Sequence, residues 1–289
     1  MLDYRYQTFL TLATERSYTR TAQKLKITQP AVTQQIKQLQ QELGITLFQY
    51  QGKQLYLTEK GSYLENQLLL LNQDIQQIQR HLHQAEDSVS LTFGATLTIG
   101  EYLMPSVINK YIEAFPSNQI DMVVENTKTL IERVEYGTLD FAFIEGDFNQ
   151  NKLGFQQVSD EKFIAVCAPE NDLWKEKRSI WDLFSNRVLI REQGSGTRLI
   201  FENLLHSKGV SLSSFSHTTV IGNIGAIKQL VSENKGISFL YRLCVEDELE
   251  KGFLKEISVS DLTILHPFHM IYLKKNREVD KIKEFTHFY

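Results

Sequence analysis

The sequence predicts an α/β protein with a small helical head that carries a helix-turn-helix, a long connecting helix, and a larger α/β domain. Three observations carry this reading. Residues 21–44, TAQKLKITQPAVTQQIKQLQQELG, hold two short helical patterns broken at Lys26-Ile27-Thr28. From Glu59 to about Glu86 apolar side chains recur at steps of three and four, with no Gly or Pro after Gly61. Beyond Ser88, strand-like and helix-like segments alternate towards the C-terminus.

The break in residues 21–44 reads as a corner. Thr28 is placed as an N-cap, and Pro30 falls in the first turn of the next helix, where its missing N–H costs nothing. Val32, Ile36, Leu39 and Leu43 then form one apolar stripe. The opposite face presents Gln29, Thr33, Gln34, Lys37 and Gln41. Gln and Thr hydrogen-bond base edges and Lys finds phosphate, whereas an ordinary solvated face would carry more Glu and Lys. Ahead of the corner, Ser17 caps a helix facing inward with Thr21, Ala22 and Leu25. The pattern is that of a helix-turn-helix whose second helix enters the major groove; the alternative is a helical hairpin within an all-α core. Tyr6, Phe9, Leu10 and Ala13 mark an earlier helix, so three precede Gly44. LFQYQGKQLYLT (47–58) alternates like strands around Gly52 and predicts a hairpin. With Lys53 near its tip, it reads as a wing resting on DNA backbone, or else as a hairpin that only caps the helices.

Charge is divided along the chain. Residues 1 to 58 hold seven Lys/Arg and three acids, a net of +4, within a total of −4. Phosphate contact requires such a concentration of positive charge, although its modest size predicts weak non-specific binding.

In the connecting helix, Leu64, Leu68, Leu71, Ile75, Ile78, Leu82 and Ala85 keep four-three spacing, the seam of a coiled coil. Leu69 and Leu70 widen the stripe at one end. A helix of this length spans about 40 Å, enough to hold two heads apart. Self-association is predicted, with a helix lying on its own domain as the alternative.

The α/β half offers strands at LTFGAT (91–96), IDMVVE (120–125), FAFIEG (141–146), FIAVCAP (163–169), RVLIRE (187–192), TTVIG (218–222), ISFLY (237–241) and FHMIYLKK (268–275). The alternation with helices predicts mostly parallel sheets, over a span long enough for two lobes and a cleft. Three stretches place N–H groups at helix starts after strand ends, where open α/β sheets hold ligands: Thr98-Ile99-Gly100, Gly194-Ser195-Gly196-Thr197 and Gly222-Asn223. Thr96, Thr98, Gly100, Ser195, Gly196, Thr197 and Asn223 are the candidate ligand contacts. Few acids stand near them in sequence, so a small anion is expected. Arg191 and Arg198 could neutralise it, or could pair with Glu192 and Glu202.

Other classes find less support. GSGT lacks the G-x-S-x-G spacing of a nucleophile elbow, and the seven histidines show no metal spacing. No enzyme activity, cofactor or metal is expected. No apolar run approaches a membrane span, and residues 1 to 16 lack a signal peptide's apolar core, so a cytoplasmic protein is expected. Cys167 and Cys244 sit among apolar residues, as inert thiols rather than a redox pair.

Taken together, ERSYTRTAQKLKITQPAVTQQIKQLQQELGITLF followed by YLTEKG resembles the winged helix-turn-helix and linker of the LysR-type transcriptional regulators of bacteria. TFGATLTIGEYLMP, AFPSNQ, YGTLDFAFIEG, REQGSGTR and GAIKQLVSENKGIS follow that family's order through the second half, so the likeness covers essentially the whole chain. TIGEYLMP with REQGSGTR is most similar to the branch with regulators of sulfur assimilation and carbon fixation.

The resemblance implies a winged helix-turn-helix domain at 1–58, a linker and dimerisation helix at 59–88, and an effector domain at 89–289. That domain would be shaped like type II periplasmic binding proteins, with lobe I at about 89–164 and 268–289 and lobe II at about 165–267. Expected partners are a double-stranded DNA operator, a small-molecule co-inducer and copies of the same chain, as a homodimer or homotetramer. Carried over by motif, Thr33, Gln34 and Lys37 contact DNA, with Gln29 and Pro30 at the groove entrance and Lys53 in the wing. The family often has Arg where Gln34 stands, and usually where Tyr50 and Lys53 stand.

Overall fold

Thr28 and Gly44 bracket the helix on which the N-terminal unit turns. In a computed structural model describing residues 3–83, 89–260, 264–274 and 279–289, the chain forms two compact units, 1–83 and 84–289. The first begins with α1 (Tyr4–Glu15) and α2 (Tyr18–Leu25), the latter capped by the Ser17 hydroxyl, which accepts from Arg20 N. Lys26 takes the left-handed conformation at φ 55°, and Ile27 N donates to Ala22 O at 3.0 Å, which closes α2 and turns the chain. The Thr28 hydroxyl accepts from Ala31 N, and α3 (Gln29–Leu43) runs until Gly44 at φ +65°. Val32, Ile36 and Leu39 are buried, and Thr21 and Ala22 are buried on the facing helix. The predicted stripe is thus the packed face, with Leu43 half-buried at its end.

The strands β1 (Phe48–Gln51) and β2 (Gln54–Leu57) pair antiparallel, with Gln51 opposite Gln54. Gly52, at φ +64°, takes the first place in the two-residue turn and Lys53 the second. The helix α4 (Glu59–His83) follows, and the Thr58 hydroxyl accepts from Gly61 N at 3.0 Å. A Cβ at Gly61 would stand 2.2 Å from Leu47 O, so only glycine lets the helix lie this close to the hairpin base. About 37 Å long, α4 packs against α1. Leu68 and Leu69 are buried, while Leu71 and Ile78 are 49% and 60% exposed and Ile75 is half-buried. The side chain of Leu82, and Ala85, lie outside the described residues.

Among the described residues the second unit is built on one mixed sheet of nine strands. In chain order its elements are β3 (Ser90–Ala95), α5 (Leu97–Tyr102), α6 (Met104–Ala114), β4 (Gln119–Val124), α7 (Thr127–Glu135), β5 (Phe141–Glu145) and β6 (Leu153–Cys167). There follow β7 (Arg187–Ile190), α8 (Gly196–Ser207), β8 (His217–Val220), α9 (Ile224–Ser232), β9 (Ile237–Tyr241), α10 (Glu246–Glu250), β10 (Lys255–Ile257), β11 (Ile264–Leu273) and α11 (Val279–Phe285). The strand order is β4-β3-β5-β11-β6-β9-β7-β8, with β10 beside β6.

Two strands bind the lobes together. The 15-residue β6 pairs with β11 over its first part and with β9 at residues 163–166, while β11 also pairs with β5. These pairings are antiparallel, whereas β3 with β4 and β5, and β7 with β8 and β9, are parallel. The expectation of mostly parallel sheets therefore needs correction, because the strands that cross between lobes run against their neighbours. The register slips between Phe268 and His269, where β11 passes from one lobe towards the other. In the first lobe Phe93, Phe141, Phe143 and Phe285 pack ring on ring, and in the second Phe201 stacks on Phe239 at 4.0 Å.

Candidate functional site

The outer face of α3 is open. Gln29, Pro30, Thr33, Gln34 and Lys37 are all exposed, and they follow one another along the face opposite Val32, Ile36 and Leu39. The Thr33 hydroxyl donates to Gln29 O at 3.1 Å, which orients it while leaving its oxygen able to accept. Two other glutamines of the helix have structural work. Gln35 Oε1 accepts from the Thr8 hydroxyl at 2.6 Å, and Gln40 Oε1 accepts from Leu47 N at 2.7 Å.

The cations divide in the same way. Arg5 is held by Asp3 and Glu42, Lys24 and Arg20 meet Glu15, and the Arg16 guanidinium lies 5.3 Å from the centre of the Tyr56 ring. Lys26, Lys37 and Lys53 have no ion-pair partner among the described residues. The cations that the head's own structure does not use thus lie at the corner, on α3 and at the hairpin tip.

In the second unit the strand ends converge on Glu145, which sequence reasoning did not single out. Glu145 ends β5 and is 1% exposed. Thr96, after β3, donates its hydroxyl to Glu145 Oε2, and Thr197 of α8 donates to Oε1 at 3.1 Å. Thr98 lies 3.4 Å from Thr197, hydroxyl to hydroxyl. Thr127, at the start of α7, donates to Glu145 O at 2.9 Å and accepts from Gly196 N at 3.1 Å. Four threonines therefore join the two lobes around Glu145, Thr96 and Thr197 through its carboxyl and Thr127 through its backbone carbonyl. The fit is tight, since a Cβ at Gly196 would meet Glu145 O at 2.2 Å.

This arrangement corrects several expectations. Thr96, Thr98, Gly196 and Thr197 do come together, but they are buried, and the Thr96 and Thr197 hydroxyls are already engaged as hydrogen-bond donors to Glu145. The idea that few acids stand nearby fails because Glu145 lies at the centre of the cluster. Gly100 is an interior position of α5, its N–H bonded to Thr96 O at 2.7 Å, and a Cβ there would stand 2.9 Å from Val124. Its role is close packing of α5 on β4. Asn223 is exposed and its side chain caps α9 through Ala226 N at 2.8 Å, outside the cluster. Arg191 and Arg198 pair with Glu192 and Glu202, each at 2.8 Å.

Ser195 behaves differently. It is the N-cap of α8, 3% exposed, and its hydroxyl has no hydrogen-bond partner. It lines a cavity of about 360 Å³ with Thr127, Lys128, Asp147, Gly194 and Arg198 among its neighbours. Lys128, exposed at this cavity, has no ion-pair partner among the described residues.

Burial pushes the Glu145 carboxyl above its ordinary value, while the Thr96 hydroxyl pulls the other way. An acid raised by folding stabilises the fold below its unfolded value near 4.5 and loses that contribution as pH rises through the folded value. Glu145→Gln should therefore remove a fall in thermal stability between the two values, as calorimetry across pH would show. Burial likewise pushes the Cys167 thiol up to about 11 and raises Cys244, so neither is a reactive thiolate. His266 and His269 lie within β11, and no cluster of metal-binding side chains exists among the described residues.

Residues 4–62 match the family described as the bacterial regulatory helix-turn-helix protein of the lysR family, and residues 84–289 match the LysR substrate binding domain. The chain belongs to the LysR family of transcriptional regulators. The regulator YeiE of Escherichia coli K12, itself described as uncharacterized, is 29% identical over 269 residues, covering 93% of this chain and 90% of the relative. The regulator CysL of Bacillus subtilis is 27% identical, covering 94% and 93%. Among solved structures, the regulatory domain of Synechocystis CcmR in complex with 2-PG aligns with a TM-score of 0.61 at 20% identity. It covers 70% of this chain and 97% of that one, and at this identity it shows the fold of the two-lobed effector domain. This LysR-type regulator thus joins a DNA-binding helix-turn-helix to an effector-binding domain.

Proposed function

We propose that this regulator reads an interrupted palindromic operator through α3, as a dimer joined along α4, and that a small anion between the lobes of its effector domain modulates transcription. Ser195 carries the effector reading. A hydroxyl buried at a helix N-terminus without a partner costs about 1–3 kcal/mol, which a ligand oxygen on the cavity side would recover. Lys128 adds a cation at the same cavity. The CcmR regulatory domain was solved with 2-PG, which is consistent with small-molecule binding at this fold. Calorimetry with sulfate, phosphate and small carboxylates tests the reading. Wild type should bind one of them better than Ser195→Ala by about 5- to 150-fold, and equal binding by both proteins would sink it.

The operator reading rests on the exposed Thr33, Gln34 and Lys37. Lys37→Ala should weaken binding to all sequences alike and lower the salt slope by about one unit. Thr33→Ala should instead relax discrimination by roughly 1–3 kcal/mol at the base it contacts. Affinity titrations on operator and random DNA at several salt concentrations separate the two outcomes. A protein with equal affinity for both DNAs at physiological salt would contradict base reading.

A further inference from the structure

We propose that the effector whose acidic group is held at Ser195 also carries an ammonium group, so that the cavity takes a small zwitterion. The inference rests on the reading that Ser195 holds an anion, and it names what else that ligand carries. The cavity, of about 360 Å³, lies where the starts of two helices meet, α7 from one lobe and α8 from the other. The two starts are fastened to each other. Gly196 N donates to the Thr127 hydroxyl at 3.1 Å, and Lys128 N donates to Gly194 O at 3.4 Å. Those amides are therefore spent within the protein. For an acidic group the lining offers the Ser195 hydroxyl, buried and without a partner, and the exposed Lys128 ammonium.

The rest of the lining disfavours an anion that brings nothing else. Arg198 is the second cation, but its Nε donates to Glu202 Oε1 at 2.8 Å, one turn along the same helix, so that pair is neutral as a unit. Glu132 and Asp147 also line the cavity, which leaves two carboxylates against the single Lys128 ammonium. Asp147 is exposed, its Oδ2 accepts from Asn203 Nδ2 at a long 3.4 Å, and it has no ion-pair partner among the described residues. A bare anion would add a third negative charge to a partly enclosed space, where repulsion is screened less than in open water.

A cation on the ligand itself turns those acids from a cost into a contact. With the acidic group at Ser195 and Lys128, the ammonium donates to the Asp147 carboxylate in a charge-assisted hydrogen bond. Ile131 and Leu199 add aliphatic surface to the lining, which suits the methylenes that join the two charged groups. Cavities that take ligands begin at about 300 Å³, so the molecule is a short one. Because α7 and α8 belong to different lobes, such a ligand touches both.

Calorimetry on the full chain at neutral pH with matched pairs tests this: acetate with glycine, propionate with β-alanine, and butyrate with γ-aminobutyrate. Wild type should bind the amino member of the best-fitting pair about fivefold more tightly, the gain of a good ion pair at a half-open site. Asp147→Asn keeps the shape and removes the charge, so it should weaken that amino acid, tighten its plain carboxylate and erase the preference. Asp147 is exposed, so this substitution leaves the fold intact. Ser195→Ala should weaken both members alike, because it removes the contact to the acid they share. Plain carboxylates that bind wild type as well as their amino partners do, and more tightly than they bind Ser195→Ala, would overturn the zwitterion and leave the anion site standing. A preference for the amino member that survives Asp147→Asn would overturn the placing of its ammonium. Failure of every pair to bind wild type would overturn the zwitterion, and failure of sulfate and phosphate as well would overturn the anion reading with it.

Discussion

Leu71→Glu or Ile78→Glu should separate the protein into monomers and reduce operator affinity by about 10²–10⁴-fold, the avidity that linking two heads supplies. Both side chains are about half or more exposed on α4 in the single chain, at positions where the four-three spacing runs on past the head. In a symmetric seam each substitution places two carboxylates opposite apolar partners, where nothing compensates their loss of water. Leu68 is the contrast. It is buried within its own unit, so Leu68→Ala should lower the head's stability by about 2–5 kcal/mol whatever the state of association. Asn66→Glu, exposed and off the spacing, serves as the control for added charge on the same helix. Sedimentation across concentration, beside DNA titration, decides the matter. An unchanged oligomer in both seam variants would remove α4 from the interface.

The second large effect is expected from a single methyl group. Gly196→Ala puts a Cβ within 2.2 Å of Glu145 O and 2.7 Å of the Thr127 hydroxyl, and the first of these is backbone that cannot swing aside. Gly196 has no positive φ, so the penalty is steric and falls on the approach of the lobes rather than on the local backbone. Overpacking of this kind costs about 1–3 kcal/mol. In a domain of this size that lowers the melting temperature by about 2–12 °C. Gly222→Ala, with only a carboxylate oxygen at 3.7 Å, should change stability by less than about 0.5 kcal/mol. Calorimetry of both variants tests the pair, and equal melting temperatures would mean the lobe contact is not as close as described.

The head is legible in the sequence because its signals are local. Ser17, Thr28, Pro30 and Gly44 each act within a turn or two of their own position, and the stripe Val32-Ile36-Leu39 needs only helical spacing to be read. The sheet is partly legible. ISFLY has its observed bounds in the sequence because it is buried throughout, but residues 153–162 of β6 escape notice. That segment mixes buried and solvent-facing positions and includes Asp160, Glu161 and Lys162, so no apolar run marks it as a strand.

The effector site is legible in place but not in chemistry. In sequence Thr96, Thr98, Ser195 and Thr197 read as donors waiting for an anion, yet two of them already serve Glu145. The missing residue stands in FAFIEG, where an acid continues an unbroken run of buried positions. An acid at that place needs partners brought from distant strands, and periodicity cannot name them. Asn223 misleads for the opposite reason: its amide oxygen is satisfied by the helix it caps. Ser195 is the candidate donor that the fold leaves unpaired.

An anion held at Ser195 should alter how the two heads engage DNA, and on this the regulator's proposed working depends. Footprinting of the full chain tests it most directly, on an operator selected from random DNA, with and without the best-binding anion, for wild type and Ser195→Ala. The anion should change the wild-type footprint between or beyond the half-sites and leave that of Ser195→Ala as it is without anion. An identical change in both proteins would contradict it.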